Sequence, residues 1–380
     1  MKKYNAQPPN FSYTFSDFFS VFKAMMHLQN NREKVYKDER EIFEEKTKKY
    51  FNIEYALSVT SCAVGIDLAC ESINLKEGDE VLSCAINFYG THLSVLKCKA
   101  KLILVEPKEN SVQIDPEDLM KKINIKTKAI IITQMNGACA DMEKIIKYVK
   151  NKEKKFNKKI YIIEDIARAF GTEYYKKKVG TIGDIGILSF QTKKNFCTLG
   201  EGGMVVTKDK NIYNKIKELR AFGDRRVYGS NYKLSRVQCA VGLTQLKKFD
   251  KYNNKRIKIG QHRDKLLNEY KEYIYIEKYK NIKNIYTYYN IMLNEKFNRE
   301  DRDKIREILL TKYNIDTCIA NEPTYLTHEF INKNVDVNNT RRATNLGGRI
   351  ISLSIHYNMK LRDNRFIVEA LINSIKEVKK

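Results

Sequence analysis

A chain of 380 residues, 42% of them hydrophobic, is long enough to bury one large core and a smaller one. Its net charge is +24, but the lysines are spread evenly among acids, as in Lys152-Glu153-Lys154-Lys155, and no nucleic-acid motif or basic tail accompanies them. The 8 cysteines stand singly and the 5 histidines include no i, i+4 pair, so neither a disulfide framework nor a metal site is expected.

No stretch approaches the length of a membrane span, and Met1-Lys2-Lys3-Tyr4-Asn5 lacks the apolar core of an export signal. A cytoplasmic protein with no membrane partner and no nucleic-acid partner is expected. Residues 1–50 read as an N-terminal helical segment, in which Glu39 to Lys49 is a charged helix with Ile42 and Phe43 on one face. Residues 51–250 then alternate strands and helices. Tyr55 to Thr60 is a strand, and Ser61-Cys62-Ala63 turns into a helix over Val64 to Glu71. Further strands fall at Glu80–Cys84, Leu102–Val105, Ala129–Thr133 and Ile160–Glu164. The helices between them cover Gly90–Lys97, a segment opening at Asp115, and Asp141–Val149. Strands around Leu188 and Met204 flank a glycine-rich loop, and helices follow at Lys210–Arg220 and Ser235–Phe249. Such alternation predicts an α/β fold with a mainly parallel sheet flanked by helices and a ligand at the carboxyl ends of the strands. Over residues 251–380 the pattern changes to longer charged helices and a few strands, including Arg349 to Leu353, which predicts a smaller C-terminal α+β domain.

The loop between the two flanking strands, Ser189-Phe190-Gln191-Thr192-Lys193-Lys194-Asn195-Phe196-Cys197-Thr198-Leu199-Gly200-Glu201-Gly202-Gly203, holds a hydroxyl, two lysines and three glycines. It reads as the place where a lysine meets a bound, electrophilic ligand. Upstream, an apolar strand delivers Glu164-Asp165 and then Arg168. Carboxylates buried there need partners, and a cationic ring nitrogen is one, while a helix cap for Asp165 is the plainer alternative. Thr60-Ser61-Cys62-Ala63 at the start of a helix has the makings of an anion site, and equally of an ordinary N-cap. Phe88 and Tyr89, beside Gly90 at a strand's end, suit stacking on a flat ligand or simple burial in the core. Gly229-Ser230-Asn231-Tyr232-Lys233-Leu234-Ser235 is a turn with a cap for the helix that follows.

Taken together and in order, these elements resemble the DegT/DnrJ/EryC1/StrS family, the pyridoxal-phosphate (PLP) aminotransferases of sugar biosynthesis. Thr198-Leu199-Gly200-Glu201-Gly202-Gly203 and Glu164-Asp165 match the family's wording closely, and the resemblance runs from about Phe43 to Asp250, then more faintly over Ala343 to Ile375. It implies the aspartate-aminotransferase-like (type I) fold, with residues 51–250 as the large PLP-binding domain. Carried over by position, Lys194 becomes the Schiff-base lysine, five residues after Ser189, and Lys193 a neighbour without a role. Asp165 pairs with the pyridine nitrogen, and Lys194 and Asp165 are the catalytic pair. Phe88 stacks on the ring. Ser61, Ala63 and Ser189 fall at the phosphate, Cys62 and Arg168 take other cofactor-binding positions, and Asn231 reaches the phosphate from a second subunit. The resemblance therefore implies a homodimer with shared active sites, PLP as cofactor, a keto-sugar substrate and an amino-acid donor, glutamate.

Departures from the family pattern concentrate where substrate is met. Ser61-Cys62-Ala63 replaces Ser-Gly-Thr, Arg168 stands for a Gln or His, Gln191 for a His or Tyr, and Lys233 for an Arg. A glycine-rich N-terminal segment is replaced by Asn31-Arg32-Glu33-Lys34-Val35-Tyr36-Lys37. These departures point to an unusual substrate, with Arg168 set to meet a substrate or donor carboxylate. Two alternatives stand beside the aminotransferase: a sugar dehydratase of the same family, against which the intact Lys194 argues, and a cofactor-binding regulator without turnover.

Overall fold

The alternation of apolar strands and capped helices is laid out in a computed structural model, which describes residues 2–7, 11–29, 38–320 and 322–379. The Asn31–Lys37 replacement lies outside the described residues. Two helices come first, α1 (Phe15–Gln29) and α2 (Glu39–Phe51). Asp38 caps α2 by accepting from the Arg40 N–H, and Lys48 and Lys49 sit in its last turn, where the helix dipole favours cations. The alternating region follows as β1 (Tyr55–Val59), α3 (Cys62–Ser72), β2 (Glu80–Cys84), α4 (Tyr89–Lys97), β3 (Lys101–Val105), α5 (Pro116–Lys122), β4 (Thr127–Thr133), α6 (Met142–Phe156) and β5 (Tyr161–Asp165). A small hairpin, β6 (Glu173–Tyr174) and β7 (Lys177–Lys178), precedes β8 (Ile185–Ser189), β9 (Gly203–Thr207), α7 (Lys210–Leu219) and α8 (Arg236–Leu267). The last third holds β10 (Ile274–Tyr275), β11 (Ile282–Lys283), β12 (Tyr289–Leu293), α9 (Arg299–Tyr313), β13 (Thr317–Cys318), α10 (Thr324–Thr327), α11 (Glu329–Asn334), α12 (Arg341–Gly347), β14 (Ile350–Leu353) and α13 (Leu361–Lys379).

The main sheet has seven strands in the order β1-β9-β8-β5-β4-β2-β3. β3, β2, β4, β5 and β8 are mutually parallel. β9 is antiparallel to both of its neighbours, so β1 runs in the common direction. β2, β8 and β9 are buried along their whole length, as continuous apolar strands covered on both faces should be. The carboxyl ends of β1, β2, β4, β5 and β8 therefore share one edge of the sheet, and the start of β9 joins them there.

One apolar core surrounds this sheet and includes Phe43 and Phe51 of α2. A second is built on the β10-β12-β14-β13 sheet by residues such as Ile305, Ile367 and Leu371, and it takes in Tyr4 from the beginning of the chain. α8 serves both: Cys239 and Phe249 pack in the first core, Ile259 and Leu267 in the second. It runs unbroken for 32 residues, whereas the sequence pattern ended it at Phe249 with a boundary at 250/251. The reason lies in its arginines. Arg256 and Arg263 are fully buried, the first donating to the Ile285 carbonyl at 2.8 Å, the second to Asn364 Oδ1 at 3.0 and 2.8 Å. A stretch that reads as polar surface is in fact interior, its guanidinium groups held by these hydrogen bonds although one nitrogen of each, NH1, has no partner among the described residues.

Candidate active site

The shared edge of strand ends opens on a cavity of about 420 Å³. Eight of the nine residues singled out for the cofactor line it: Ser61, Cys62, Ala63, Phe88, Asp165, Arg168, Ser189 and Lys194. Asn231 does not. It is exposed, and its backbone pairs with Ala221. Ser235, in the same stretch, caps α8 by accepting from the Gln238 N–H.

The lysine loop is a narrow return. The Phe190 N–H donates to the Gly202 carbonyl and the Thr192 N–H to that of Gly200, each at 2.8 Å. Leu199 (φ 61°) and Gly200 (φ 110°) turn it through the left-handed region that glycine tolerates best. Within this frame the two lysines differ. Lys193 is exposed at the rim, its N–H bound to Gln191 Oε1 at 2.8 Å. Lys194 is half-buried, with Nζ 6.0 Å from the centre of the Phe88 ring. Burial, and after it the positive charge of Arg168, lower the Lys194 pKa from 10.5 to about 8. The loop is also tied from outside: the Tyr13 hydroxyl accepts from the Leu199 N–H at 3.1 Å and lies 3.3 Å from Cys197 Sγ.

Asp165 is 2% exposed at the end of β5. Its Oδ2 accepts from the Thr91 hydroxyl at 2.8 Å and lies 3.5 Å from that of Thr133, and its Oδ1 accepts from the Ala167 N–H at 3.0 Å and, more distantly, the Cys62 thiol at 3.9 Å. All three donors are neutral. The cap-like bond to Ala167 is present, but it closes a turn rather than a helix. Cys62 is held as a thiol, since burial and the nearby Asp165 push its pKa well above the usual value. Glu164 points to the opposite face, as the next residue of a strand must, and is spent there. It accepts from the Ile182 and Gly183 N–H groups at 2.8 and 2.7 Å and from Gln134 Nε2 at 3.0 Å.

Ser61 is the N-cap of α3, its hydroxyl accepting from the Val64 N–H at 3.2 Å. The ordinary cap is therefore real, and it leaves the hydroxyl hydrogen and the first-turn N–H groups pointing beyond the helix. Gly203 lies directly against this turn: a Cβ there would sit 2.6 Å from the Ser61 carbonyl carbon. Phe88 is 46% exposed, so its ring is a wall of the cavity and not core. It packs on Tyr89 at 4.2 Å between centroids and over Gly90, where a Cβ would come within 2.8 Å of the ring.

Sequence reasoning missed several lining residues, among them Thr91, Thr133, Glu201, Gln7 and Tyr288. Thr91 and Thr133 sat beside stretches already singled out, next to Gly90 and at the end of a strand. Tyr288 gave no signal, since it arrives from the last third of the chain within an ordinary aromatic run. A buried relay behind Asp165 was equally invisible. Thr133 donates to Asn87 Oδ1 at 2.9 Å, the Asn87 amide lies 3.4 Å from His92 Nε2, and His92 Nδ1 lies 2.8 Å from the Thr324 hydroxyl. Burial drives the His92 pKa down to about 3, so this ring is neutral.

A mainly parallel sheet with a buried acid, an amine of lowered pKa, an exposed aromatic face and a helix N-terminus at one edge defines an aspartate-aminotransferase-like (type I) PLP enzyme. The chain belongs to the DegT/DnrJ/EryC1/StrS aminotransferase family, whose sequence profile matches residues 22–372. It is 32% identical over 352 residues to the UDP-4-amino-4,6-dideoxy-N-acetyl-beta-L-altrosamine transaminase of Campylobacter jejuni, covering 89% of this chain and 90% of that one. It is 31% identical over 278 residues to the GDP-perosamine synthase of Escherichia coli O157:H7, covering 71% and 73%. Among solved structures, Spr1654 of Streptococcus pneumoniae in its PMP form superposes with a TM-score of 0.89 at 20% identity, over 100% of this chain and 99% of the other.

The family's cofactor is pyridoxal phosphate, and the residues present fit it. The residues offer a carboxyl oxygen at one end of the cavity, an amine near the aromatic wall and hydroxyl and N–H donors at the helix end. Gly203 and Gly90 keep the helix end and the aromatic face where a side chain would displace them. Among the described residues, no cluster of His, Cys, Asp or Glu is placed to hold a metal ion, and no helix is long and apolar enough to cross a membrane.

Proposed function

We propose that this aminotransferase moves an amino group from glutamate to a nucleotide-linked keto-sugar, in the cytoplasm, for a surface polysaccharide or a secondary metabolite. The observation that carries the reading is the placement of Lys194 and Asp165 in one cavity with Phe88 and the start of α3. The names of the two curated relatives, one a UDP-sugar transaminase and one a GDP-perosamine synthase, support a sugar carried on a nucleotide.

Bound in the cavity, pyridoxal phosphate supplies an electron sink for the carbon whose proton is removed. Lys194 Nζ anchors the cofactor and then moves the proton at that carbon, a task for which a pKa near 8 is well placed. Asp165, kept as an acceptor by Thr91 and the Ala167 N–H, would accept from a protonated ring nitrogen of the cofactor. Ser61, Ser189 and the first turn of α3 bind the phosphate, so the cofactor stays in place while Lys194 is free. Phe88 would offer its exposed ring face to the cofactor.

The active unit in this reading is a homodimer. Asn231 is exposed and outside the cavity of its own chain, which supports its serving a second one. α1 presents an exposed row of aromatics, which supports a second copy against it. The test is transfer itself: glutamate labelled with heavy nitrogen, incubated with the PLP-loaded protein and a panel of UDP- and GDP-linked keto-hexoses, should yield a sugar carrying the label. Protein that holds the cofactor and labels no sugar in such a panel overturns the reading.

A further inference from the structure

Arg168 lines the cavity three residues beyond Asp165, on the turn that leaves β5. Its guanidinium carbon lies 4.5 Å from the centre of the Tyr288 ring, and its NH1 group donates to the Ala320 carbonyl at 3.4 Å. Those are its contacts, and among the described residues it makes no ion pair. Of the two carboxylates that line the cavity, Asp165 is already supplied with donors by Thr91, Ala167 and Cys62, and Glu201 makes no ion pair with Arg168. A guanidinium carries five N–H donors in a planar fork, and a single long bond with one stacked face leaves most of that fork unused. An arginine held this way, half-buried and without an acid, has the donors to receive a planar anion.

We propose that Arg168 binds the α-carboxylate of the amino donor, and that Tyr288 sets the plane in which the fork receives it. The proposal rests on the amino-transfer reading above. Two anions enter such a site besides the cofactor's phosphate: the donor's carboxylate and the diphosphate of a nucleotide sugar. Position decides between them. Arg168 and Lys194 line the same cavity, and the arginine's charge adds to the lowering of the lysine's pKa. In an α-amino acid the carboxylate is one bond from the carbon that carries the reacting amine. In a nucleotide sugar the diphosphate is separated from the reacting carbon by the sugar ring. An arginine beside the lysine meets the former.

The test uses the PLP-loaded protein and 2-methylglutamate, which keeps both carboxylates but has no α proton to lose, with binding followed by calorimetry. Arg168→Gln should weaken its affinity about 10- to 100-fold, the range expected for a lost charge-assisted fork. Affinity for a UDP-linked sugar should change much less. Arg168→Lys keeps the charge but loses the fork, and should fall between the two. A matched loss of cofactor absorbance or melting temperature in Arg168→Gln would put the effect down to structure, and the Lys variant then decides alone. Unchanged 2-methylglutamate affinity in both variants overturns the proposal, as does a loss confined to the nucleotide sugar. Wild-type protein that binds 2-methylglutamate through Arg168 yet labels no sugar would sink the amino-transfer reading and leave the carboxylate site standing.

Discussion

Lys194 is the residue whose chemistry the surroundings alter most usefully. Its pKa falls to about 8 because burial disfavours the ammonium and Arg168 repels it. A neutral amine is the form that attacks a carbonyl, so cofactor uptake by apo-protein should rise with pH and level off once the solution is above about 8. An unshifted lysine would keep gaining to beyond pH 10. In Arg168→Gln one of the two causes is gone, so the midpoint should move up. The measurement is the rate at which absorbance grows after PLP is added across a pH series, and a wild-type midpoint near 10.5 would refute the assignment. Spacing from Ser189, a local property, set Lys194 apart from Lys193 in the sequence, and the structure puts Lys194 beside the Phe88 ring and leaves Lys193 exposed. The donors that hold Asp165 were not. Thr91 comes from the first turn of α4 and Thr133 from the end of β4, and Tyr288 lies more than a hundred residues away from Arg168. Only the sheet order makes them neighbours.

At the level of elements, strand ends carried most of the legible signal. β2 matches its predicted range, and the strands before Ser61, Asp165 and Ser189 deliver those residues to a common edge. Long helices were less readable, since the charged half of α8 shows little apolar contrast while burying Arg256 and Arg263. The contact between β9 and α3 yields a prediction of its own. A methyl at Gly203 would fall 2.6 Å from the carbonyl carbon of Ser61, backbone against backbone, with no flexible side chain to move aside. Gly203→Ala should therefore destabilise the fold by about 1–3 kcal/mol. It should also push the first turn of α3 out of line and so weaken PLP binding more than a remote change of equal cost. Thermal melting and equilibrium cofactor titration read the two effects separately. An alanine variant with wild-type melting and affinity would show that the approach relaxes freely.

The whole molecule leaves one surface unexplained by its own packing. α1 is turned inside out relative to an ordinary surface helix. The side that faces α8 carries Asp17, 2% exposed and bonded to Lys248, Thr244 and Gln245, together with the buried Ala24. The side that faces away carries Phe15, Phe18, Phe19, Phe22, Met25 and Met26, with Phe15 79% and Phe18 67% exposed. A row of six such side chains is larger than the scattered apolar residues normal for a surface and marks a contact face. Tyr13, just before the helix, is bonded to the lysine loop, so a partner against α1 would steady the site as well. Replacing Phe18 and Phe22 together by lysine removes apolar area that touches little in its own chain and adds like charges across a two-fold contact. In sedimentation the wild-type protein should run at twice 44.5 kDa and the double variant at 44.5 kDa. The variant should keep its secondary structure, because Asp17 and Ala24 still dock the helix. Its amino transfer should fall with the loss of the second subunit, since the exposed Asn231 would then have no neighbouring cavity to complete. A double variant that remains dimeric would place the contact elsewhere, and a fully active monomer would end the shared-site reading.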